Sequence, residues 1–279
     1  MQIQSEGFGN SQDYLDKLVD WFRQFDSCIV AFSAGVDSTL LAYSAKKALG
    51  ENAYAVTSLS PSFSEREEQS TRQTARDLGI KLVEVEQDDL GTPDYVKNGV
   101  SRCYFCRTNL AHAIEPVRQK LSVQVCVDGT HVDDMKSPRP GIKALREAGF
   151  RAPFLELGMG KESVRSVARL VGLPTADRPS EACLSSRIAF GHKIDLETLR
   201  RIEAAENSVR RLTGASIVRV RTIGSEASVE VERESVPKAA KLASEITEEL
   251  QKLGYEKVSI DPDGYTSGKM LELFIKDDS

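Results

Sequence analysis

The stretch Cys28–Leu49, "CIVAFSAGVDSTLLAYSAKKAL", constrains this chain more than any other. An apolar run over Cys28–Phe32 enters a turn of small and hydroxylated residues, and a helical pattern follows at once. Strand, glycine-containing turn and helix in direct succession begin a β–α unit. The first N–H groups of a helix have no partner inside it, and the helix dipole favours negative charge there. Ser33, Gly35 and Ser38 bracket that start, so the turn suits a phosphate or pyrophosphate. Ser33 and Ser38 add hydroxyl donors. Asp37 cannot itself favour an anion and makes sense as a ligand for Mg²⁺ travelling with a nucleotide. A capped helix after a strand explains the same residue types without a ligand, but the full string Ser-Ala-Gly-Val-Asp-Ser favours the ligand. The lysine of an ordinary P-loop is missing from it.

The alternation continues. An opening amphipathic helix is expected over 11–25, with Leu15, Leu18, Val19 and Phe22 on one side. Strands are expected at "AYAVTS" (53–58), "IKLVEVE" (80–86) and "VQVCVDGT" (123–130), with helices over 64–79, closed by Gly79, and around 106–120. This predicts an α/β fold, a parallel sheet with helices on both faces, with ligands bound beyond the carboxyl ends of the strands. Ser33–Ser38 and "DGTHVDD" (Asp128–Asp134) both fall at that edge. After Pro174 the sequence is rich in turn residues and loses its period. A helix over 196–212, alternating strands "SIVRVRTI" and "ASVEVER", a helix over 237–253 and "KVSID" then suggest a small α+β domain. The expected division is 1–180 and 181–279.

Of the 279 residues 40% are hydrophobic and 28% charged, which suits a globular chain with a substantial core. The net charge of −5 argues against a general nucleic-acid binder. No apolar run approaches the roughly 20 residues that span a bilayer. No secretory pattern opens the sequence, and five cysteines in a chain this large are not a disulfide framework. A cytoplasmic setting is therefore expected, where cysteines serve as core, metal ligands or catalysts. Cys28 and Cys126 fall in expected strands and read as core. Cys103 and Cys106, in "SRCYFCRTNL" between Arg102 and Arg107, open a helix. Such a Cys-x-x-Cys serves as a redox pair, half a zinc site or part of an iron–sulfur site. Cys183, in the polar "SEACLSSRI", is out of place as core. If these three converge, His112 or His192 would complete a zinc site, whereas a [4Fe–4S] cluster on three thiolates would keep one iron open for a hydrosulfide.

The Ser33–Ser38 string resembles the PP-loop of the ATP pyrophosphatases, written Ser-Gly-Gly-x-Asp-Ser, which split ATP between the α and β phosphates and pass AMP to a substrate oxygen. Ala34 stands where that loop has glycine, a cost if the position needs φ > 0. Asp128–Asp134 with Arg139–Gly141 resembles the family's Gly-Thr-Asn-x-Asp-Asp segment, with His131 for asparagine, otherwise a solvent-facing loop histidine. The resemblance implies that Ala31, Ser33, Gly35, Val36, Asp37, Ser38, Thr57 and Gly129 bind ATP, with Mg²⁺ at Asp37.

Together with the cysteines, the pattern resembles the LarE family of ATP-dependent sulfurtransferases, which act on pyridinium-3,5-biscarboxylic acid mononucleotide. The resemblance runs from the loop to "DGYTSGKM" (263–270) and is most specific over Lys161–Ile188. It implies that Ser186 and Arg187 anchor the substrate and that Arg219 and Arg221, on one face of a strand, hold its phosphate. It further implies adenylation of a carboxylate followed by sulfur transfer. The sulfur comes from a [4Fe–4S] cluster on Cys103, Cys106 and Cys183, or from Cys183 itself, leaving dehydroalanine. A sulfide or other sulfur donor and a homo-oligomer, a ring of six, complete the expectation. Glu206 reads as a solvated helix position and Glu230 as an acidic interface or metal residue. Three alternatives make different demands. A tRNA thiolase needs RNA-binding elements or zinc ribbons. An amide-forming ligase needs no cysteine. A nucleotide-binding module releases no pyrophosphate.

Overall fold

The computed structural model describes residues 3–136, 139–179 and 182–266, with side chains from residue 10 onward. Glu181 and the last residues of "DGYTSGKM", from 267, lie outside the described residues. The chain forms two units: Met1–Asp89 with Cys103–Glu181, and Leu90–Arg102 with Ala182–Ser279. Leu90–Arg102, placed with the first domain on the sequence, is grouped with the second unit.

In the first unit the chain runs α1 (Ile3–Phe22), β1 (Cys28–Ala31), α2 (Val36–Leu49), β2 (Ala53–Leu59), α3 (Glu65–Leu78) and β3 (Lys81–Glu86). After the short α4 (Pro93–Val96) of the second unit come α5 (Arg102–Lys120), β4 (Val125–Val127), α6 (Pro140–Glu147), α7 (Pro153–Glu156) and α8 (Lys161–Leu170). The four strands are parallel, in the order β3-β2-β1-β4. Alternation along β1 gives the sheet two buried faces. Cys28 and Val30 enter a core with α1, α2 and α8, while Ile29 packs with Leu110, Ile114 and Leu145 of α5 and α6. In α3 the Ser64 hydroxyl accepts from Glu67 N–H while the Glu67 carboxylate takes the Ser64 N–H, and Gly79 closes the helix at φ +61°.

Helices α6, α7 and α8 were not expected. For α8 the signal was present: Gly160 precedes it, and the buried Val164, Val167 and Ala168 share one stripe.

The second unit adds α9 (Leu196–Thr213), β5 (Val218–Ile223), β6 (Glu226–Val231), α10 (Val236–Lys241), α11 (Ala243–Lys252) and β7 (Lys257–Ile260). Its sheet runs β5-β6-β7, antiparallel between β5 and β6, parallel between β6 and β7. Ala205, Val209, Val218, Val220, Val229, Ile246 and Leu250 form its core. The single helix expected over 237–253 is two helices, broken at Leu242.

Candidate functional site

In the first unit β1 lies between β2 and β4, so the chain order reverses between β1 and β4. A parallel sheet opens its ligand crevice at that point, beyond the strand ends. The turn after β1 and the turn after β4 meet there. Gly129 packs so closely that an added Cβ would lie 2.7 Å from Asp37 Cβ. Ala31 ends β1, and Val36 and Ser38 are buried in the first turn of α2, after Gly35 as N-cap. The Ser38 hydroxyl accepts from Ser33 N–H (3.2 Å) and donates to Gly35 O (3.2 Å), while Ser33 is exposed. Thr57 is buried, and its hydroxyl donates to Phe32 O at 2.8 Å, tying β2 to the loop. Ala34 adopts φ +53°, so alanine stands where the backbone favours glycine.

A lysine from 124 residues along the chain reaches Asp37 of this loop. Lys161 Nζ lies 2.6 and 2.8 Å from the two Asp37 carboxylate oxygens. Its own N–H, at the start of α8, donates to Asp133 Oδ2 at 2.7 Å. A Cβ on Gly160 would meet that same oxygen at 2.8 Å, so glycine makes the approach possible. The Lys136 ammonium and then the Lys161 N–H hold the Asp133 carboxyl below its usual range. Sequence reasoning missed Lys161 as a site residue because nothing local marks its partner. Asp37, the expected Mg²⁺ ligand, is thus paired with this ammonium. His131 is buried and not solvent-facing: its backbone N–H donates to Asp134 Oδ2 (3.0 Å), and Arg139 pairs with Asp134 at 2.6 Å. Asp128 is buried and paired with Arg146.

Cys103 and Cys106 stand one turn apart at the start of α5, exposed and half-buried respectively, and all five cysteines are free thiols. Gln87 Nε2 lies 3.0 Å from Cys106 O and 3.6 Å from Cys106 Sγ. The same nitrogen donates to Asp89 at 2.7 Å, and burial raises the Asp89 carboxyl despite this bond and one from Asn109. Cys28 and Cys126 are core, and burial pushes both thiols up to about 12.

In the second unit Cys183, half-buried, precedes a short 3-10 turn over Leu184–Arg187. Side chains hold almost every carbonyl around it. Arg187 donates to Ala182 O and to Cys183 O (2.9 Å). Arg102 donates to Ser185 O (3.0 Å), and Arg221 to Ser186 O (3.1 Å). Asn98, at φ +54°, donates to Ile188 O (3.3 Å) and Ala189 O (2.8 Å), and accepts from Arg102 (2.7 Å). Arg102, expected beside the thiols of α5, is buried in this network.

The arginines converge on two carboxylates. Arg187 bonds Glu206 at 2.8 Å, Arg210 reaches the same group at 3.0 Å, and Arg221 pairs with Glu230 at 2.9 Å. Arg219 is buried, lies over the Tyr265 ring, and adds its field at Glu206. Glu206 is thus not a solvated position; it is 2% exposed. Burial alone would raise its carboxyl, but the charge and hydrogen bonds of Arg187, with Arg219 and Arg210, outweigh that and hold it below the usual range. Arg187 and Arg221 both spend donors on the Cys183 loop, and Ser186 is half-buried beside them.

Among the described residues, no three His, Cys, Asp or Glu side chains gather as a metal site requires, and no helix is long and apolar enough to cross a membrane.

Residues 9–96, which hold the loop and its flanking elements, match the family described as NAD synthase. The chain is 29% identical to the pyridinium-3,5-bisthiocarboxylic acid mononucleotide synthase of Lactiplantibacillus plantarum over 93% of this chain and 94% of that protein. It is 28% identical to an uncharacterised protein of Methanocaldococcus jannaschii over 86% of this chain and 90% of that one. Its identity to the uncharacterised protein slr1717 of Synechocystis sp. is 37%, over 94% of this chain and 98% of its relative. On that likeness along nearly the whole of both sequences, the chain belongs to the family of slr1717.

Proposed function

We propose that this protein is an ATP-dependent sulfurtransferase that adenylates a carboxylate of pyridinium-3,5-biscarboxylic acid mononucleotide and converts it to a thiocarboxylate. The observation that carries the reading is a half-exposed thiol, Cys183, on a loop whose carbonyls are pinned by Arg187, Arg102, Arg221 and Asn98, in a chain that also has an anion-binding strand–turn–helix. Packing a thiol this way fixes where its sulfur can act. The match to NAD synthase supports ATP use, and the likeness to the Lactiplantibacillus pyridinium-3,5-bisthiocarboxylic acid mononucleotide synthase supports this substrate.

ATP phosphates dock on the N–H groups and hydroxyls of Ser33–Ser38. Lys161 serves the phosphates as well, and Asp37 would hold the accompanying Mg²⁺. The substrate carboxylate attacks the α-phosphorus; the bond to the β-phosphate oxygen breaks and pyrophosphate leaves. The loop donors and Lys161 stabilise the charge that develops. The Cys183 thiolate then attacks the acyl-adenylate carbonyl and displaces AMP, giving a thioester at Cys183; loss of the Cα proton to solvent and cleavage of the Cβ–Sγ bond release the thiocarboxylate and leave dehydroalanine at that position. Arg219 and Arg221, on one face of β5, would hold the substrate's phosphate. In this reading Arg187 and Ser186 act chiefly by shaping the Cys183 loop.

Cys103 and Cys106 have the i, i+3 spacing of two ligands on one helical turn, and their donor chemistry suits an iron–sulfur cluster. No group of three such donors occurs among the described residues. The reading rests on Cys183 as sulfur carrier. Mixing the protein with ATP, the mononucleotide diacid and sulfide tests it. Pyrophosphate, AMP and a thiocarboxylate are expected, and Cys183→Ala is expected to abolish the thiocarboxylate. A thiocarboxylate made at the full rate without Cys183 would refute the assignment.

A further inference from the structure

In the second unit the segment Leu90–Arg102 does more than link elements. Tyr95 lies in α4, fully buried, and its hydroxyl donates to Ser185 Oγ at 3.0 Å. Ser185 is also fully buried, and its Oγ lies 3.2 Å from Cys183 Sγ. A serine hydroxyl has one proton to give and lone pairs to receive. With the tyrosine proton directed onto Ser185 Oγ, the serine's own proton is free to point at the sulfur. The backbone of Ser185 is fixed independently, by Arg102 at its carbonyl (3.0 Å). Neighbouring turns add to the hold: Ile194 N–H donates to Val96 O (2.9 Å) and Gly191 N–H to Asn98 O (3.1 Å). Burying two hydroxyls is costly unless each finds a partner, and here they are partnered in a line that ends on a thiol.

We infer that Ser185 and Tyr95 are positioning residues for the sulfur of Cys183: their hydroxyl chain presents a hydrogen bond to Sγ and so sets the direction from which it reacts. This rests on the reading of Cys183 as sulfur carrier. It assigns a role to the segment Leu90–Arg102.

The test separates the two half-reactions. Wild type, Ser185→Ala, Ser185→Thr and Tyr95→Phe are each supplied with ATP, the mononucleotide diacid and sulfide. Pyrophosphate release and thiocarboxylate formation are then timed in the same sample. Losing one hydrogen bond to the sulfur is expected to lower the ratio of the second rate to the first about tenfold in Ser185→Ala. Tyr95→Phe should lie between that variant and wild type, and Ser185→Thr, which keeps the hydroxyl, should restore the ratio. A merely structural role would lower both rates together, in the threonine variant too, and that outcome would overturn the inference. An unchanged ratio in Ser185→Ala would overturn it while leaving the sulfurtransferase reading intact. A wild type that releases no pyrophosphate would remove that reading and this one with it.

Discussion

Ala34 shows how one position carries the conflict between sequence and backbone. Its φ of +53° lies where a Cβ is crowded. Left-handed backbone costs an L-residue about 1–2 kcal/mol, and glycine gives back part of that gain through a more flexible unfolded chain. Ala34→Gly should therefore raise stability by about 0.5 kcal/mol, read as a shift in denaturant midpoint. The question was legible in the sequence, because alanine replaces an expected glycine. Lys161 was not legible, since its partner Asp37 is 124 residues away and no local pattern links them. Lys161→Met is expected to lower kcat/KM for ATP about 100-fold, the scale for losing one charge-stabilising donor, with the fold unchanged by circular dichroism. Glu206 was misread because polar residues are exposed by default, and only its tertiary partner Arg187 explains its burial. For Cys28 and Cys126 the sequence was enough, as strand positions in an apolar run. With both thiols raised to about 12 by burial, iodoacetamide at pH 8 should modify Cys103 and leave these two intact, as read by peptide mass spectrometry.

At the scale of elements, the strand–turn–helix over β1 and α2 could be read directly, because apolar alternation, small turn residues and a helical period coincide. The boundaries differ by a residue or two, and the helix begins at Val36, not Ser38. The Cys183 loop could not be read. Its order comes from donors at Asn98, Arg102, Arg187 and Arg221, and a turn-rich sequence gives no hint of them. The break at Leu242 was equally hidden, since the apolar positions on either side suit one helix or two. Two predictions belong here. Gly129→Ala places a methyl 2.7 Å from Asp37 Cβ, so the turns after β1 and β4 must part; nucleotide binding should be lost while Ala34→Gly retains it. The arginine cluster predicts a pH dependence. The folded Glu206 carboxyl is held below its unfolded value of about 4.3, so its contribution is complete above that pH and drains away as pH falls through the lower folded value. Glu206→Gln should cost about 3 kcal/mol near pH 7, the scale for breaking a buried pair, and the gap from wild type should narrow on acidification.

For the molecule as a whole, the α/β class and the parallel sheet follow from the alternation of strands and helices, and the structure has both. The excursion of Leu90–Arg102 into the second unit does not follow, because it depends on Tyr95, Asn98 and Arg102 finding partners near Cys183. The two units divide the proposed labour: one has the strand–turn–helix suited to phosphate, the other the pinned Cys183 loop and the arginines around Glu206 and Glu230. Activation by AMP transfer is the claim that unites them, since sulfur has no reason to attack a free carboxylate. It is tested most directly by giving the purified protein ATP labelled at the α-phosphate, with and without the mononucleotide diacid. Labelled AMP that accumulates only in the presence of the diacid, matched by pyrophosphate, is the predicted result; labelled ADP, or AMP formed equally without the diacid, would contradict it.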